Sequence, residues 1–398
     1  MRLMNIRRSR PKSHGILRVA VAVAASALVI TVCGVPSAQA DEYAATAVIS
    51  GPATGLEYPA GIATDAGGLI YVSSQGTTNT VSVFAPSAAG NTAPLRTIQF
   101  AAGVQPFCLD TDSHGSLYVC LSNGKVATYA PGASGLATPT SELDMPAGGY
   151  QPWGLALDAQ DRIYVGSNNT FNSRIDRYAA AASGAATPTL SITGIGFSRH
   201  PSGLDVDQSG NIYAILYDNW GNGDCDFVVY PADGTTASRT FIAPYGWDIE
   251  LDGSGFAYVS QVAPQGSIAV YEAGTSSALA STPVRTITIP GMTDPNPLVM
   301  AADGRLLVVD FTGTAVYVLD VTSGTGEEPP PIPPILQQVG MPSTMNCADV
   351  DDSELNWADV RSGGWNPSWA QWAHDGTGGP VCGRWLTHVS ATGHWRSS

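Results

Sequence analysis

The sequence predicts an all-β fold built from repeated four-stranded units, and three observations carry this prediction. A phrase of Ile or Leu, usually an Asp three residues later, a Gly and an apolar-Tyr-apolar triplet recurs six times, every 45 to 49 residues, with the sixth copy the least regular. Short alternating segments separated by Gly-, Ser- and Asp-rich turns follow each copy. Only 13% of the residues are charged and 44 are Gly, as suits a turn-rich β protein. The copies start at Ile62, Leu109, Leu155, Leu204, Ile249 and Leu298. A repeat of this length cannot bury its faces alone, so neighbouring copies must stack.

Residues 1–40, ahead of the repeats, have the pattern of a signal peptide. Six basic residues precede the short apolar run Val19–Val32, and Ala38–Ala40 supplies a small-residue cleavage site. We therefore expect a secreted protein, extracellular or cell-wall associated, that begins at Asp41.

Each repeat is predicted to form four strands in order. The first ends at the repeated phrase, the second is the apolar-Tyr-apolar triplet, and the third alternates, as in Val81–Phe84. The fourth follows a Gly/Ala/Ser/Pro-rich turn, as in Leu95–Ile98. The sixth repeat lacks a fourth strand, and the segment Ala45–Ser50 is predicted to supply it. Residues 41–321 would then form a six-bladed β-propeller closed by an N-terminal strand, without open edges.

The repeats also resemble a known family. The segments Tyr58–Ser73 and Pro201–Ala214 look like repeats of the NHL family of six-bladed propellers, and the resemblance covers residues 45–320. The sixth copy departs most, with Ala301 at the Asp position and Leu307 at the Tyr position. The resemblance implies the fold but no single activity, because that family includes scaffolds, receptor modules and a few lyases.

The amino-acid composition changes after the propeller. Residues 322–334 form a Pro-rich linker, and residues 335–398 hold six of the nine tryptophans. This Trp-rich unit resembles a short C-terminal module of actinobacterial exported proteins. We predict a small module stabilised by a disulfide between Cys347 and Cys382.

Three further cysteines lie within the propeller. Cys108 and Cys120 flank the first hairpin of the second repeat, and a turn centred on His114 would place them opposite each other as a second candidate disulfide. Cys225 is then left without a partner.

Charge excludes several classes of partner. Without the six leader charges, 12 basic residues remain against 33 acidic ones, a net charge of −21. Such a chain repels nucleic acid and anionic membrane surfaces. No later apolar run is long enough to span a membrane, so we expect a protein or carbohydrate partner at the cell surface.

One position of the repeat varies between apolar and acidic residues. The residue after the Ile or Leu is Asp110, Asp205 or Glu250 in blades two, four and five, but Ala or Val in the others. Because inner strands ring the central channel, these carboxylates are candidates for a divalent cation site or for a shared proton. The alternative is that each accepts a hydrogen bond from neighbouring backbone.

A second set of candidates is aromatic or polar and is predicted to lie in loops on one face of the propeller. Flat rings beside Asn and Asp suit sugar rings and also protein hot spots. The alternative for Trp153 and Trp247 is that they fill gaps between blades. The set is Trp153, Asn169, Phe171, His200, Tyr217, Trp220, Tyr245 and Trp247.

These observations favour a binding or scaffold protein without a cofactor. His114 and His200 are expected on opposite faces, and no Ser or Cys has an evident His partner. The alternative is a propeller lyase or hydrolase with a divalent cation at the three channel carboxylates. A third possibility is a structural component of the cell surface with no specific ligand.

Overall fold

The computed structural model describes residues 40–169, 171–196, 199–218, 223–263 and 266–321, and the backbone of a hairpin formed by Leu386–Val389 and Trp395–Ser397. Within these residues the fold is all-β, with a single 3-10 turn at Pro52–Thr54. None of them forms a helix long and apolar enough to cross a membrane. The predicted leader, linker and C-terminal disulfide between Cys347 and Cys382 lie outside the described residues and stay predictions.

The strands form six blades, each with an inner, second, third and outer strand. The inner strands are β3 (Pro59–Thr64), β7 (Pro106–Thr111), β11 (Gln151–Leu157), β15 (Arg199–Val206), β19 (Gly246–Leu251) and β23 (Pro295–Met300). The second strands are β4 (Ile70–Ser74), β8 (Leu117–Leu121), β12 (Ile163–Asn168), β16 (Ile212–Asp218), β20 (Phe256–Gln261) and β24 (Arg305–Asp310). The third strands are β5 (Thr80–Phe84), β9 (Lys125–Tyr129), β13 (Ser173–Tyr178), β17 (Asp226–Tyr230), β21 (Ser267–Glu272) and β25 (Ala315–Asp320). The outer strands of blades one to five are β6 (Arg96–Gln99), β10 (Ser141–Asp144), β14 (Leu190–Thr193), β18 (Arg239–Ile242) and β22 (Arg285–Thr288).

An N-terminal strand closes the ring, as predicted. Strand β2 (Ala47–Ser50) pairs antiparallel with β25 and is the outer strand of blade six. The inner strand β23 of that blade in turn contacts β3 of blade one. A further short strand, β1 (Ala40–Glu42), adds parallel to β22 and makes blade five a five-stranded sheet. The six blades therefore form a closed circle.

The core lies between neighbouring blades. The second and third strands of blade one, β4 and β5, are buried along their whole length, because each sheet is covered on both faces. Tyr71 and Val83 of blade one share a cluster with Val119 of blade two. At the closure, Ile49 of β2 packs in one cluster with Val72 of blade one. Burial of apolar side chains thus continues around the ring and across the closing strand.

The repeated Asp organises the first turn of each of the first five blades. In blade four, Oδ1 of Asp207 accepts the backbone N–H groups of Ser209 and Asn211, at 2.9 Å each. The Tyr213 hydroxyl donates to Oδ2 of the same carboxylate at 3.4 Å. The same turn contacts recur at Asp65, Asp112, Asp158 and Asp252. The carboxylate oxygens thus accept N–H groups of the turn and the Tyr hydroxyl. The recurrence of Asp and Tyr at this spacing is therefore a requirement of the fold.

A Gly directly ahead of the repeated Ile or Leu in blades one, three and four allows inner strands of successive blades to approach closely. A Cβ atom at Gly61 would overlap the carbonyl oxygen of Phe107, and one at Gly203 would lie 2.6 Å from the Cα of Asp248. Only Gly fits where two backbones meet in this way. The close approach narrows the channel and brings side chains of different blades together.

The cysteines of the propeller behave as the hairpin argument predicted. Cys108 of β7 and Cys120 of β8 form a disulfide. Cys225 is buried and unpaired. The disulfide joins the two innermost strands of blade two beside the channel.

Candidate functional site

A cavity of about 380 Å³ opens at one end of the central channel. Its aromatic lining consists of Phe107, Trp153, Trp247 and Phe311. Its polar lining consists of Gln75, Ser202, Asp248, Glu250, Asp294 and Asn296. These residues come from all six blades, so the closed ring assembles the site.

A β-bulge in every inner strand supplies much of this lining. The register of each inner strand against its neighbour shifts just after its first residues, as between Pro152 and Gly154. A bulge leaves its extra residue unpaired and turns it out of the ladder. The bulge residues that line the cavity are Ala60, Phe107, Cys108, Trp153, Ser202, Trp247, Asp248, Asn296 and Pro297. Each repeat therefore places a bulge residue toward the channel at the same point of its inner strand, and the identity of that residue differs between blades.

Five rings form a continuous aromatic collar around part of the mouth. The collar consists of Phe107, Trp153, His200, Tyr217 and Trp247. Successive ring centroids are 5.1, 5.4, 5.1 and 4.9 Å apart, within the range of favourable aromatic contact. The collar runs from blade two to blade five and holds Phe107, Trp153 and Trp247 against the cavity.

The predicted channel carboxylates link adjacent blades. Oδ2 of Asp110 accepts the N–H of Leu157 in the next blade at 2.6 Å. Oδ2 of Asp205 accepts the N–H of Leu251 in the next blade at 2.7 Å. Oε2 of Glu250 accepts the N–H of Met300 in the next blade at a longer distance, 3.4 Å. These side chains therefore form the hydrogen bonds to neighbouring backbone that the alternative interpretation predicted.

Two further carboxylates of the cavity were missed by the sequence reasoning. Oδ2 of Asp248 accepts the N–H of Leu298 at 3.1 Å, and Oδ1 of Asp294 accepts from the side-chain amide of Asn296, also at 3.1 Å. Asp248 lies in the bulge of β19, next to Trp247. Trp247 and Asp248 lie between Gly246 and Ile249, as Phe107 and Cys108 lie ahead of Leu109 in blade two. This correspondence in sequence could have identified Asp248.

Burial and mutual repulsion shift the acidity of the channel carboxyls. Burial raises the pKa of Asp110, Asp205 and Asp248 to about 7 each, although accepted backbone N–H bonds act in the opposite direction. The pKa of Glu250 is raised well above its ordinary value, by burial first and then by the charges of Asp205, Asp248 and Asp110. The charges of these carboxyls therefore interact, so that ionisation of one disfavours ionisation of the others.

Four predicted loop residues lie on strands instead. Trp153 is on β11, His200 on β15, Tyr217 on β16 and Trp247 on β19. The strands of blades three and four extend further toward this face than the repeat suggested, so the rings project from rigid elements. His200 is only 5% exposed, and burial lowers its pKa to about 4, so it is neutral at physiological pH.

Among the predicted residues that the structure describes, Asn169, Phe171, His200, Tyr217 and Tyr245 do not line the cavity. Asn169 accepts the backbone N–H groups of Phe171 and Asn172 and so forms a turn. Phe171 is 69% exposed. The ring of Tyr245 packs against Gly223, where a Cβ atom would overlap it. Trp220 lies outside the described residues.

The described residues include no group of three His, Cys, Asp or Glu side chains arranged to hold one metal ion. Asp110, Asp205 and Glu250 interact through their charges, yet each carboxyl also accepts a backbone N–H group. The cation site at these three residues stays a prediction.

Comparison with known proteins finds solved structures of low identity that are similar to part of this chain. No family model matches the chain, and no curated protein matches it. The WD40 β-propeller domain of Doa1 is similar in structure at a TM-score of 0.47 and 12% identity, covering 65% of this chain and 78% of that one. Hydrazine synthase of Kuenenia stuttgartiensis has a TM-score of 0.47 and 14% identity, covering 66% and 76%. The chain is a six-bladed propeller on the strength of its own strand pairing.

Proposed function

We propose that this protein is a secreted binding protein of the NHL-like propeller type that recognises a carbohydrate at the mouth of its channel. One observation carries the proposal: bulge residues Phe107, Trp153 and Trp247 line a cavity that also holds carboxylate and amide groups. Aromatic faces stack on the apolar faces of sugar rings, and polar groups beside them bind hydroxyls. The leader sequence supports export, and an exported protein meets glycans at the cell surface.

The shape of the site favours a carbohydrate over a protein surface. A cavity of about 380 Å³ is concave and small, within the usual range for small-ligand sites of about 300–1,000 Å³. Protein hot spots instead place exposed anchors on a broader surface. Among the described loop residues, Tyr58 and Phe171 are strongly exposed aromatic side chains, and neither lines the cavity. The concave site is therefore the better candidate.

The lyase or hydrolase alternative has less support. A general base must be free to take a proton from a bound substrate. Asp110 and Asp205 each accept two backbone N–H groups, and His200 is buried within the aromatic collar. These contacts favour structural roles for the three residues.

A glycan array followed by titration calorimetry tests the proposal. We expect the full chain to bind a subset of glycans, and Trp153→Ala and Trp247→Ala each to weaken binding about tenfold or more, since stacking on an aromatic ring contributes about 1 kcal/mol or more. Phe171→Ala, an exposed ring outside the cavity, is the matched control and should leave affinity unchanged. Absence of glycan binding would refute the proposal. So would a protein partner, found by pull-down, whose binding depends on the two tryptophans.

A further inference from the structure

The cavity is acidic as well as aromatic. Asp248, Glu250 and Asp294 contribute to its lining, whereas the described lining residues include no Lys, Arg or His. The three carboxylates come from blades five and six, opposite the aromatic side formed by Phe107 and Trp153 of blades two and three. A ligand in the cavity therefore meets the rings of Phe107 and Trp153 on one side, and on the other three carboxylates beside the rings of Trp247 and Phe311.

Glu250 has hydrogen-bonding capacity to spare. Its Oε2 accepts one long hydrogen bond, 3.4 Å from the N–H of Met300. Glu250 is half-buried and lines the cavity, and no hydrogen bond from a described residue occupies its Oε1. A carboxylate surrounded by other acids gains from a nearby cation or strong donor. Glu250 therefore offers an acceptor to a ligand in the cavity.

The aromatic rings favour the same kind of ligand. The faces of Trp153, Trp247 and Phe107 carry negative potential, which attracts cations within about 6 Å of a ring centroid. A protonated amine placed between these rings and Glu250 would interact favourably with both. A neutral hydroxyl would compensate neither the crowded carboxylates nor the ring faces as well.

Resting on the carbohydrate-binding function proposed above, we infer that the ligand is a cationic saccharide whose free amino group binds among Glu250, Asp248 and Asp294 at the base of the aromatic collar. The overall charge of the chain, −15 with its leader, acts in the same sense by attracting cationic ligands to the surface. N-acetylation of the amino group would weaken recognition, because the acetamide carries no charge.

Three matched oligosaccharides test the inference on the full chain. They are β-1,4-linked tetramers of glucosamine, of N-acetylglucosamine and of glucose, and a fourth probe is tetramethylammonium, a cation without a sugar. Calorimetry should show the glucosamine tetramer binding about tenfold or more tightly than either neutral tetramer, as expected for one desolvated charge contact. A tetramer with quaternised amines should keep this preference, because its charge does not depend on pH.

Glu250→Gln is the decisive variant, since it cannot ionise when an ammonium group binds beside it and keeps an acceptor for the N–H of Met300. We expect it to reduce affinity for the glucosamine tetramer about tenfold and leave the neutral tetramers unaffected. Glu272→Gln, which alters an exposed residue at the end of β21, is the matched control. Asp294→Asn provides a second test should Glu250→Gln lower the melting temperature.

The outcomes separate the two proposals. If all three tetramers bind equally and binding still depends on Trp153, the carbohydrate function stands and the cationic preference is wrong. If no tetramer binds but tetramethylammonium binds and requires Glu250, the site recognises cations and the carbohydrate function is wrong. If no probe binds, the cationic preference is wrong, and the carbohydrate function is wrong as well if the glycan array is also blank.

Discussion

At the scale of single residues, acidic side chains two positions apart have different tasks. Asp207 binds the backbone of its own turn, whereas Asp205 reaches the N–H of Leu251 in the next blade. The pairs Asp110 with Asp112 and Glu250 with Asp252 repeat this division. Residues two positions apart in one strand share a face, but each inner strand ends between the two members of a pair, as at Val206 between Asp205 and Asp207. What separates the roles is whether the side chain lies before or after the end of the inner strand.

Replacing a turn Asp should weaken the fold. Asp207→Ala removes acceptors for the N–H groups of Ser209 and Asn211 and for the Tyr213 hydroxyl. We expect the free energy of unfolding in urea to fall by about 1–3 kcal/mol, the usual cost of leaving such donors unsatisfied. Asp233→Ala is the matched control, because Asp233 is exposed and bonds only to Thr235. A loss at Asp233 equal to that at Asp207 would contradict the assignment.

The channel carboxyls should make the protein more stable in mild acid than in mild base. Asp110, Asp205 and Asp248 have a pKa of about 7 in the fold, against an ordinary 3.8, so between about pH 4 and 7 the folded state binds protons that the unfolded state releases. Stability therefore falls as pH rises through this window. Asp158, whose pKa is lowered, loses its contribution only below pH 4.

Differential scanning calorimetry between pH 5 and 8 measures this effect. We expect a higher melting temperature at pH 5 than at pH 8, and a smaller difference in Asp205→Asn than in the unaltered chain. Asp233→Asn, a change in an exposed turn, should leave the pH dependence as it was. A melting temperature that rises from pH 5 to pH 8 would show that these carboxyls are ionised in the fold.

At the scale of elements, sequence reasoning located the strands but not their bulges. The apolar-Tyr-apolar triplets and the alternating runs coincide with the second and third strands, since burial on both faces leaves a strong pattern. The bulge beside Trp153 follows instead from the approach of neighbouring inner strands, marked by Gly154. Local periodicity carries no information about that contact. Trp153 and Trp247 were for this reason predicted in loops, whereas they lie on strands β11 and β19.

The disulfide of blade two should be detectable by chemical mapping. Under denaturing, non-reducing conditions an alkylating reagent should modify Cys225 and leave Cys108 and Cys120 unmodified until a reductant is added. The double variant Cys108→Ala/Cys120→Ala should lose about 2–4 kcal/mol of stability, the typical contribution of a native disulfide. Its melting temperature should not respond to reductant, whereas that of the unaltered chain should fall. Alkylation of Cys108 without reduction would contradict the pairing.

At the scale of the whole molecule, closure of the ring is what creates the candidate site. Counting strands was enough to predict closure, because the sixth repeat was one strand short and residues 45–50 were unassigned. The cavity could not be predicted in the same way. Trp153 and Glu250 are about a hundred residues apart in sequence and lie in one cavity only because blades three and five curve around the same axis. Which carboxylates crowd together depends on this three-dimensional arrangement.

Removal of the closing strand should open the propeller. A chain of residues 51–321 lacks β2, which leaves the edge of β25 unpaired and uncovers the site where Ile49 packs in the cluster with Val316 and Val318. Exposed strand edges pair with other chains. We expect this chain to form oligomers or aggregates in size-exclusion chromatography with light scattering, and to unfold at a lower temperature or without a cooperative transition. Residues 41–321 should instead behave as a cooperatively unfolding monomer.

A third chain, residues 43–321, is the matched control for this experiment. It lacks β1, which pairs with β22 at three positions, but keeps β2 and the closure. Because β1 only extends the outside of blade five, its loss should lower the melting temperature less than the loss of β2 and should not cause oligomers to form. If residues 51–321 remain monomeric with the same melting temperature as residues 43–321, the inner strands hold the ring together. Strand β2 would then pair with blade six without contributing to the closure.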